Sequence, residues 1–498
     1  MNTRTTHINL DESLIFEKSA QGRIGFDLPS SEDFPEIKLD EVVGEDNIRE
    51  EISDFPEVSE VDVVRHFTRL SNWNYHIDGG PYPLGSCTMK YNPKVNEYIA
   101  NLQGLSTTHP LTPENFVQGN LEALYLLSEN LKEITGMDAV SLQPPAGASG
   151  ELTGVLILRS FLEDKGEHRR KILIPDSAHG TNPASAAIAG YSVETLISDE
   201  HGCLNLNALE KEMDDDVAAL MLTNPNTLGI FEPNIEKISQ VVHDRGGLVY
   251  MDGANLNALM GIARPGDFGV DLLHMNLHKT FSTPHGGGGP GSGPVAVKDF
   301  LEPYLPTPKI KKLLSKKFVF DYDCPKAIGK IKAFHGNFGT LIRALAYILA
   351  NGSDGLKRAS CTAILNANYI RHHLKDTYNL PYQRPVLHEV VFSSKNQAKN
   401  GVSVMDIAKR LMDYGFHPPT VAFPLIVQGA LMIEPTETES RQELDLFIKA
   451  MKAISIEAQN DPDLLMDAPH LTRIKRLDEV RAARNPILRW KGTKNRVK

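Results

Sequence analysis

Apolar runs of strand length alternate with helical segments between about residue 138 and residue 300. The runs "KILIPDS", "SVETLIS", "AALMLTNP" and "LVYMDGAN" predict buried strands at 171–177, 192–198, 218–225 and 248–255. The segments between them predict helices at 182–190, 205–215 and 235–247. Strands that alternate with helices favour a parallel sheet covered on both faces, because such crossovers are right-handed. The pattern therefore predicts an α/β domain that binds its ligands at the carboxyl ends of the strands.

The whole chain divides by pattern into four parts. An acidic, weakly periodic arm is expected to wrap a partner subunit, and a segment of short helices with the loop "DGGPYPLGSCTMKYNPK" follows it. The main α/β domain comes next, before a smaller C-terminal α+β domain with a tail. The four parts are assigned to 1–60, 61–137, 138–330 and 331–498.

The C-terminal part carries its own pattern. A long helix is predicted at 335–352, and strands are predicted at 388–394 and 430–436. The basic, amphipathic tail "LDEVRAARNPILRW" has the pattern of a docking segment. This part is therefore expected to form a smaller domain beside the main sheet.

Composition narrows the class of protein. The 498 residues are 41 % hydrophobic and 23 % charged, which is ordinary for a globular chain. The net charge of −11 disfavours nucleic-acid binding, and the sequence has neither a signal peptide nor an apolar run of membrane-spanning length. The four cysteines form no CxxC pair, which indicates reduced thiols in a cytoplasmic protein rather than disulfides or a metal site: Cys87, Cys203, Cys324 and Cys361.

Lys279 lies between the end of an apolar run, "VDLLHMNLHK", and the glycine-rich stretch "GGGGPGSGP". Most lysines in such a place are solvated surface residues. A lysine that is buried, or held beside other cations, loses its proton and becomes a nucleophilic amine. The strongest use of that amine is a Schiff base with a carbonyl cofactor such as pyridoxal 5'-phosphate.

Pyridoxal phosphate makes three demands on a protein, and the sequence has a candidate for each. Asp252 in "YMDGAN" ends a predicted strand and offers a carboxylate to the pyridine nitrogen. His179 in "DSAHGTNPAS" offers a flat ring to stack on the pyridine, and Thr227 or Asn224 offers a hydrogen bond to the ring hydroxyl. The turn "PPAGASGE" opens a predicted helix and presents N–H groups and a hydroxyl to the phosphate: Ala148, Ser149 and Gly150.

Each of these features alone has an ordinary structural explanation, such as a turn aspartate or a helix start rich in small residues. Their appearance in order, at the predicted strand ends of one domain, favours the cofactor site. The glycine stretch is not a nucleotide phosphate loop, because it lacks the G-K-[ST] ending and leads into the strand pattern "PVAVKDF". It is expected to be a flexible loop near the active site.

Nine segments give the chain a resemblance to a known family. They are "LIFEKSAQGR", "YPLGSCTMKYNPKVNE", "LQPPAGASGE", "DSAHGTNPASA", "TNPNTLGIFE", "DGANLNA", "NLHKTFSTPHGGGGPGSGP", "HGNFGTLIRA" and "MIEPTETES". They run from about residue 14 to residue 441. With them the chain resembles the P-protein family of the glycine cleavage system, glycine dehydrogenase (decarboxylating), and within it subunit 2 of the two-subunit form.

The resemblance implies the pyridoxal-phosphate-dependent transferase fold of the aspartate aminotransferase class. It implies that Lys279 is the Schiff-base lysine, Asp252 the partner of the pyridine nitrogen and His179 the stacking ring, with Ala254 at the same cofactor site. The implied reaction decarboxylates glycine and passes its aminomethyl group to the lipoyl arm of the H-protein. Subunit 1 is the implied partner, in a heterotetramer of two copies of each subunit.

Several roles remain open between candidates. His278 and His109 are candidates for proton transfer to the lipoyl sulfur. The loop "GSCTMK" is expected at the glycine or lipoyl end of the site, where Ser86 and Thr88 would donate to a carboxylate; Cys87 is expected to be a buried thiol of that loop and not a nucleophile. The sequence does not rank three candidate ligands of the glycine carboxylate, Arg65, Arg69 and Arg343.

Three other functions compete with the family's. A pyridoxal-phosphate-dependent decarboxylase acting alone would use the same lysine, aspartate and histidine, but it would release a free amine. A structural subunit without cofactor is disfavoured by the intact set of Lys279, Asp252 and "AGASGE". A nucleotide-binding protein that used the glycine stretch is weaker still.

Overall fold

The computed structural model describes residues 12–27, 32, 35, 37–49, 55–286, 289 and 291–489. The chain forms two compact units, of which one takes Met1–Gly79 with Leu477–Lys498 and the other takes Gly80–Arg476. The expected arm at 1–60, the glycine stretch at 286–293 and the C-terminal tail fall partly outside the described residues. Within the described ranges every helix is too short or too polar to cross a bilayer.

The first unit contains helices α1 (Leu39–Val43) and α2 (Glu60–Ser71). Ser59 caps α2, since its hydroxyl accepts from the N–H of Asp62 and the Asp62 carboxylate accepts from the N–H of Ser59. The Glu12 carboxylate lies 2.8 Å from the ring of His66. These contacts fix the start of α2 and connect it to the segment before it.

The second unit is built on a seven-stranded sheet. In spatial order its strands are β1 (Ala139–Ser141), β7 (Val295–Val297), β6 (Leu272–Met275), β5 (Leu248–Gly253), β4 (Val217–Thr223), β2 (Lys171–Pro175) and β3 (Ser192–Leu196). Neighbours from β6 to β3 run parallel, and β7 runs antiparallel to β6 and β1. The predicted, mainly parallel sheet is confirmed.

Both faces of this sheet are covered, as β4 shows. Leu220 and Leu222 belong to one apolar core, while Ala219 and Met221 belong to the core on the other face. Alternate residues of a strand point to opposite faces, so a strand buried on both faces is a continuous apolar run. The helices of this unit before the second sheet are α3 (Lys94–Ala100), α4 (Gln103–Ser106), α5 (Gln118–Thr135), α6 (Gly147–Asp164), α7 (Thr181–Ile188), α8 (Leu206–Glu212), α9 (Ile235–Asp244) and α10 (Phe338–Leu374).

Each of the four predicted strands ends two residues earlier than its apolar pattern indicates. At these ends, side-chain oxygens instead of backbone carbonyls accept hydrogen bonds from backbone N–H groups. Asp176 Oδ1 accepts from the N–H of Ser198 at 3.1 Å, and Asn224 Oδ1 accepts from the N–H of Glu232 at 3.0 Å. Such side-chain bonds replace the ladder and turn the chain out of the sheet. The residues that follow the strands are therefore free to line a cleft.

Helix α10 is longer than predicted. The pattern at 335–352 ends at Gly352, and this residue has the non-helical angles φ 60° and ψ −177°. The helix resumes beyond it because buried residues continue at helical spacing, among them Leu356, Ala363 and Ile370. A glycine that was predicted to end the helix instead kinks it.

A smaller antiparallel sheet follows α10. Its strands, in spatial order, are β10 (Val390–Ser393), β12 (Ala430–Ile433) and β11 (Thr420–Val421). The hairpin of β8 (Lys309–Lys312) and β9 (Phe318–Asp321) precedes α10. The remaining helices are α11 (Val404–Asp413), α12 (Arg441–Asn460), α13 (Pro462–Met466) and, in the first unit, α14 (Glu479–Arg484).

Candidate active site

A cleft with an empty volume of about 660 Å³ opens at the carboxyl ends of β4, β5 and β6. Parallel strands end at the same edge of a sheet, so residues that follow different strands meet there. The cleft brings together seven of the predicted site residues, which are Ser86, Ala148, His179, Thr227, Asp252, Ala254 and Lys279.

Asp252 lies at the floor of the cleft and is 5 % exposed. Its Oδ1 accepts from the N–H of Ala254 at 3.0 Å and lies 3.3 Å from Nε2 of His274. With its amide nitrogen facing the carboxylate, Asn182 donates to Oδ2 at 3.1 Å. Burial raises the pKa of Asp252, but His274, the Lys279 charge and the Ala254 N–H outweigh burial and hold it below its usual value. The floor of the cleft is therefore a fixed carboxylate.

The strand register explains how Asp252 is supported. β5 and β6 pair Asp252 with His274, and Tyr250 lies two residues earlier on the same face of β5. The Tyr250 hydroxyl lies 2.9 Å from Nδ1 of His274. Helix α6 can approach this tyrosine because its residue 154 is glycine, where an added Cβ would lie 2.4 Å from the ring. Burial lowers the pKa of His274, so its ring is neutral, with Nε2 beside the Asp252 carboxylate and Nδ1 facing the Tyr250 hydroxyl.

Lys279 follows β6 in a turn and is half-buried. Its backbone N–H donates to the carbonyl of Asn276 at 3.0 Å. Over the described part of the chain, its Nζ atom makes no hydrogen bond or ion pair. A primary amine thus reaches the cleft without being neutralised by a carboxylate partner.

The first turn of α6 forms one wall of the cleft. The helix has no side-chain cap at Ala146, which leaves N–H groups of its first turn available to a ligand. Gly147 and Ala148 line the cleft, whereas Ser149 and Gly150 do not. Gly150 instead allows close packing, since an added Cβ would lie 2.3 Å from the carbonyl oxygen of Gly293.

Several buried polar atoms at the cleft have no partner within the described residues. They are Glu151 Oε1, Thr223 Oγ1, Asn276 Oδ1 and both ring nitrogens of His388. Buried polar atoms are almost always hydrogen-bonded in folded proteins, so these atoms indicate a polar ligand. The groups present fit pyridoxal phosphate. The start of α6 would hold its phosphate, the Asp252 carboxylate its ring nitrogen, and the Lys279 amine its aldehyde.

His179 and Thr227 both line the cleft. Nδ1 of His179 accepts from the N–H of Thr181 at 3.3 Å, and its ring meets Phe423 edge to face. The Thr227 hydroxyl donates to the carbonyl of Ser177, which leaves its oxygen as an acceptor for a ligand hydroxyl. Asn224 is buried outside the lining, with its amide nitrogen unpartnered within the described residues.

The loop "GSCTMK" reaches the cleft at Ser86, and it is strained there. Ser86 and Thr88 have positive φ angles of 64° and 47°. This conformation aims the N–H of Ser86 at the Glu389 carboxylate (2.8 Å) and that of Thr88 at the Glu434 carboxylate (3.1 Å). Burial raises the pKa of the Cys87 thiol.

The other predicted residues lie outside the cleft lining. His278 accepts from the N–H of Ser292 at 3.3 Å, and burial lowers its pKa to about 3. His109 packs edge to face on Phe334. Arg343 forms an ion pair with Glu97 at 2.8 Å. Arg65 and Arg69 lie on α2 in the other unit.

Sequence reasoning missed five residues at or beside the cleft, which are Glu151, Tyr250, His274, Glu389 and Glu434. A signal existed for His274, which is a polar residue inside the apolar run "VDLLHMN". The two C-terminal glutamates lie within the predicted strands at 388–394 and 430–436, but only the strand pairing places them beside the "GSCTMK" loop.

Comparison with known proteins gives the chain a family. The family model described as glycine cleavage system P-protein matches residues 37–309, and that described as glycine dehydrogenase, C-terminal domain, matches residues 359–470. A probable glycine dehydrogenase (decarboxylating) subunit 2 of Bacillus licheniformis is 55 % identical, over 97 % of this chain and 99 % of that protein. The protein of the same name from Listeria monocytogenes is 54 % identical, with the same coverage of each.

Solved structures confirm the predicted fold class. A crystal structure of glycine decarboxylase (P-protein) in inhibitor-bound form has a TM-score of 0.71 at 20 % identity, over 84 % of this chain and 94 % of that one. An alanine–glyoxylate aminotransferase from Nostoc sp. has a TM-score of 0.56 at 16 % identity, over 75 % and 95 %. The fold is thus the one shared with aminotransferases, and by sequence the chain belongs to the glycine dehydrogenase (decarboxylating) subunit 2 family of P-proteins.

Proposed function

We propose that this chain is the catalytic subunit that decarboxylates glycine and transfers the aminomethyl group to the lipoyl arm of the H-protein. Its cofactor is pyridoxal 5'-phosphate. One observation carries the proposal: the Lys279 amine reaches the same cleft as the buried Asp252 carboxylate, with no carboxylate partner of its own in the described residues.

Five groups of the cleft would hold the cofactor. Lys279 would bind the aldehyde carbon of the cofactor, and the first turn of α6, at Gly147 and Ala148, would bind its phosphate. Asp252 would keep a proton on the ring nitrogen. The oxygen of Thr227 would accept from the ring hydroxyl, and His179 would cover one ring face. Pyridoxal phosphate, when bound, supplies a protonated ring that accepts the electron pair of a bond broken at the amino-acid α-carbon.

The chain's own residues then set the course of the reaction. The buried Tyr250–His274 pair holds Asp252 in place, so the ring nitrogen keeps its proton while charge develops. Lys279 lines the same cleft, and its free amine would serve there as a base toward the substrate. The "GSCTMK" loop closes the side of the cleft at Ser86.

The partners follow from the same proposal. Relatives at 54–55 % identity bear the name subunit 2, which supports assembly with a subunit 1, in a heterotetramer of two copies of each. Glycine is the substrate and the lipoylated H-protein the acceptor. We place the reaction in the cytoplasm, in keeping with the four free cysteines.

Product analysis tests this function. The chain, with the cofactor and a candidate subunit 1, is incubated with glycine, with and without the lipoylated carrier, and the products are identified by mass spectrometry. An aminomethyl group on the carrier's lipoyl sulfur is the expected product. Free methylamine formed without carrier would instead identify a decarboxylase that acts alone.

A further inference from the structure

Glu389 and Glu434 lie opposite each other at the end of the smaller sheet. The antiparallel register that pairs Val390 with Ile433 continues by one residue to the two glutamates. They are 3 % and 0 % exposed, and an oxygen of each lies within 4.8 Å of the other and of a ring nitrogen of His388. Two carboxylates this close and this buried do not both ionise, so the pair holds a proton.

The surroundings of the two carboxyl groups differ. Glu434 accepts from the N–H and hydroxyl of Thr88, at 3.1 and 2.8 Å, and from the amide of Asn255 at 3.1 Å. Among the described residues Glu389 accepts a single hydrogen bond, from the N–H of Ser86. Donors stabilise the ionised form of a carboxyl group. The negative charge therefore belongs to Glu434 and the proton to Glu389, and Glu389 is the one that lines the cleft.

The neighbouring titratable groups agree with this assignment. Burial raises the pKa of both carboxyl groups, that of Glu434 to about 7 and that of Glu389 well above its ordinary value. The Glu434 charge adds to the rise at Glu389, and the Lys279 charge opposes both rises. Burial lowers the pKa of His388 to about 3, so its ring is neutral and gives the pair no positive charge. Lys90, the other nearby cation, is paired with Glu437 at 2.6 Å.

We propose that Glu389, kept protonated by Glu434, is the acid that protonates the sulfur leaving group when the aminomethyl group is transferred. This rests on the proposed function. Carbon dioxide leaves, and the electron pair that stays on the glycine carbon forms a bond to one lipoyl sulfur. The S–S bond breaks, and the other sulfur takes the proton of Glu389 and becomes a thiol. Two negative charges this close are unstable, so the pair at once regains one proton, from the ammonium group of the next glycine.

Two other groups near the cleft do not fit this role. His278 is neutral and outside the lining, and burial disfavours the loss of a proton from Cys87. The unusual backbone of the "GSCTMK" loop is explained as well, because its positive φ angles aim alternate N–H groups at the two glutamates. The strained loop thus positions the acid.

Infrared spectroscopy of the holoenzyme tests the shared proton without reference to activity. A carboxylic acid has a C=O stretching band that a carboxylate lacks and that shifts in heavy water. Glu389→Gln removes the acid and should abolish the band. Glu434→Gln removes the charge that adds to burial in keeping Glu389 protonated, so in this variant the band should be lost at a lower pH than in wild type. Glu439→Gln is the matched control, since Glu439 also has a pKa raised to about 7 by burial but lies outside the cleft lining. Glu439→Gln should remove only the contribution of Glu439 to the C=O absorption and leave the band of Glu389 unchanged.

Transient kinetics test the role of the proton. In a single turnover with the lipoylated carrier, Glu389→Gln should slow the appearance of the carrier thiol by about 10²–10⁴-fold. Glycine binding, followed by the change in cofactor absorbance, should stay within a few-fold of wild type, as should all rates in Glu439→Gln. In Glu434→Gln, Glu389 loses its proton at a lower pH than in wild type. The pH above which the transfer rate falls should therefore also be lower.

Each contrary result has a separate meaning. Three results would overturn the assignment: transfer at the wild-type rate in Glu389→Gln, an acid band that survives in Glu389→Gln or titrates in Glu434→Gln as in wild type, or a stoichiometric divalent metal that Glu434→Gln releases. A wild-type enzyme that transfers nothing to the carrier would instead refute the proposed function, while the infrared result would still report on the pair.

Discussion

Nε2 of His274 lies 3.3 Å from Oδ1 of Asp252, across the pairing of two parallel strands. The other ring nitrogen of this histidine faces the Tyr250 hydroxyl at 2.9 Å. Both supporting side chains are almost wholly buried. The carboxylate at the floor of the cleft is therefore oriented by two buried side chains of β5 and β6.

Replacing Asp252 by asparagine should separate binding from chemistry. The amide keeps the size of the side chain but not the charge that holds a proton on the ring nitrogen. We expect the cofactor still to be reduced onto Lys279 by borohydride, while glycine decarboxylation falls about a hundredfold or more. Asp176→Asn, at the end of β2 and outside the cleft lining, is the control and should stay within a few-fold of wild type. Full activity in Asp252→Asn would remove Asp252 from the proposed role.

Glu151 should make the stability of the cofactor-free protein depend on pH. Burial raises its pKa from 4.5 to about 7, and the Asp252 charge adds to this rise. The folded state therefore favours the protonated form, whose stabilisation is complete below the ordinary pKa and is lost as the pH rises through about 7. Relative to wild type, Glu151→Gln should gain up to about 3 kcal/mol in unfolding free energy between about pH 5 and pH 8. Chemical denaturation at several pH values measures this, and a difference that does not change with pH would contradict it.

Gly150→Ala should displace the start of α6. The new methyl group would lie 2.3 Å from the carbonyl oxygen of Gly293, so the helix must move away from the strand that follows the glycine stretch. We expect a loss of about 1–3 kcal/mol in unfolding free energy and weaker cofactor binding in an absorbance titration. Gly119→Ala is the matched control, since this exposed glycine of α5 has no atom near the added methyl group. It should gain up to about 1 kcal/mol and bind the cofactor as wild type does. Equal behaviour of the two variants would show that the contact at Gly150 does not matter.

The cysteines should react in an order set by burial. Cys361 is exposed on α10, whereas burial raises the pKa of Cys87 and lowers its thiolate fraction. Iodoacetamide labelling followed by peptide mass spectrometry should modify Cys361 first and Cys87 slowly. Rapid labelling of Cys87 would show that its thiol is activated and would reopen its role at the site.

The sequence predicts the main sheet well, because strands buried on both faces leave continuous apolar runs. Asp252 and Lys279 are found for the same reason, since each follows such a run. His274 and Tyr250 are harder to find, because their role depends on the register between β5 and β6. The roles of Glu389 and Glu434 depend on pairing between strands about forty residues apart, and local spacing does not reveal such pairing.

Isotope exchange between labelled bicarbonate and the carboxyl group of glycine tests the proposed reaction most directly. It would be measured with the chain, pyridoxal phosphate, the lipoylated carrier and a candidate subunit 1, with one component omitted at a time. We expect exchange that requires every component and is abolished in Lys279→Ala. Exchange that survives in Lys279→Ala, or free amine formed from glycine by the chain alone, would contradict carrier-dependent glycine decarboxylation at this cleft.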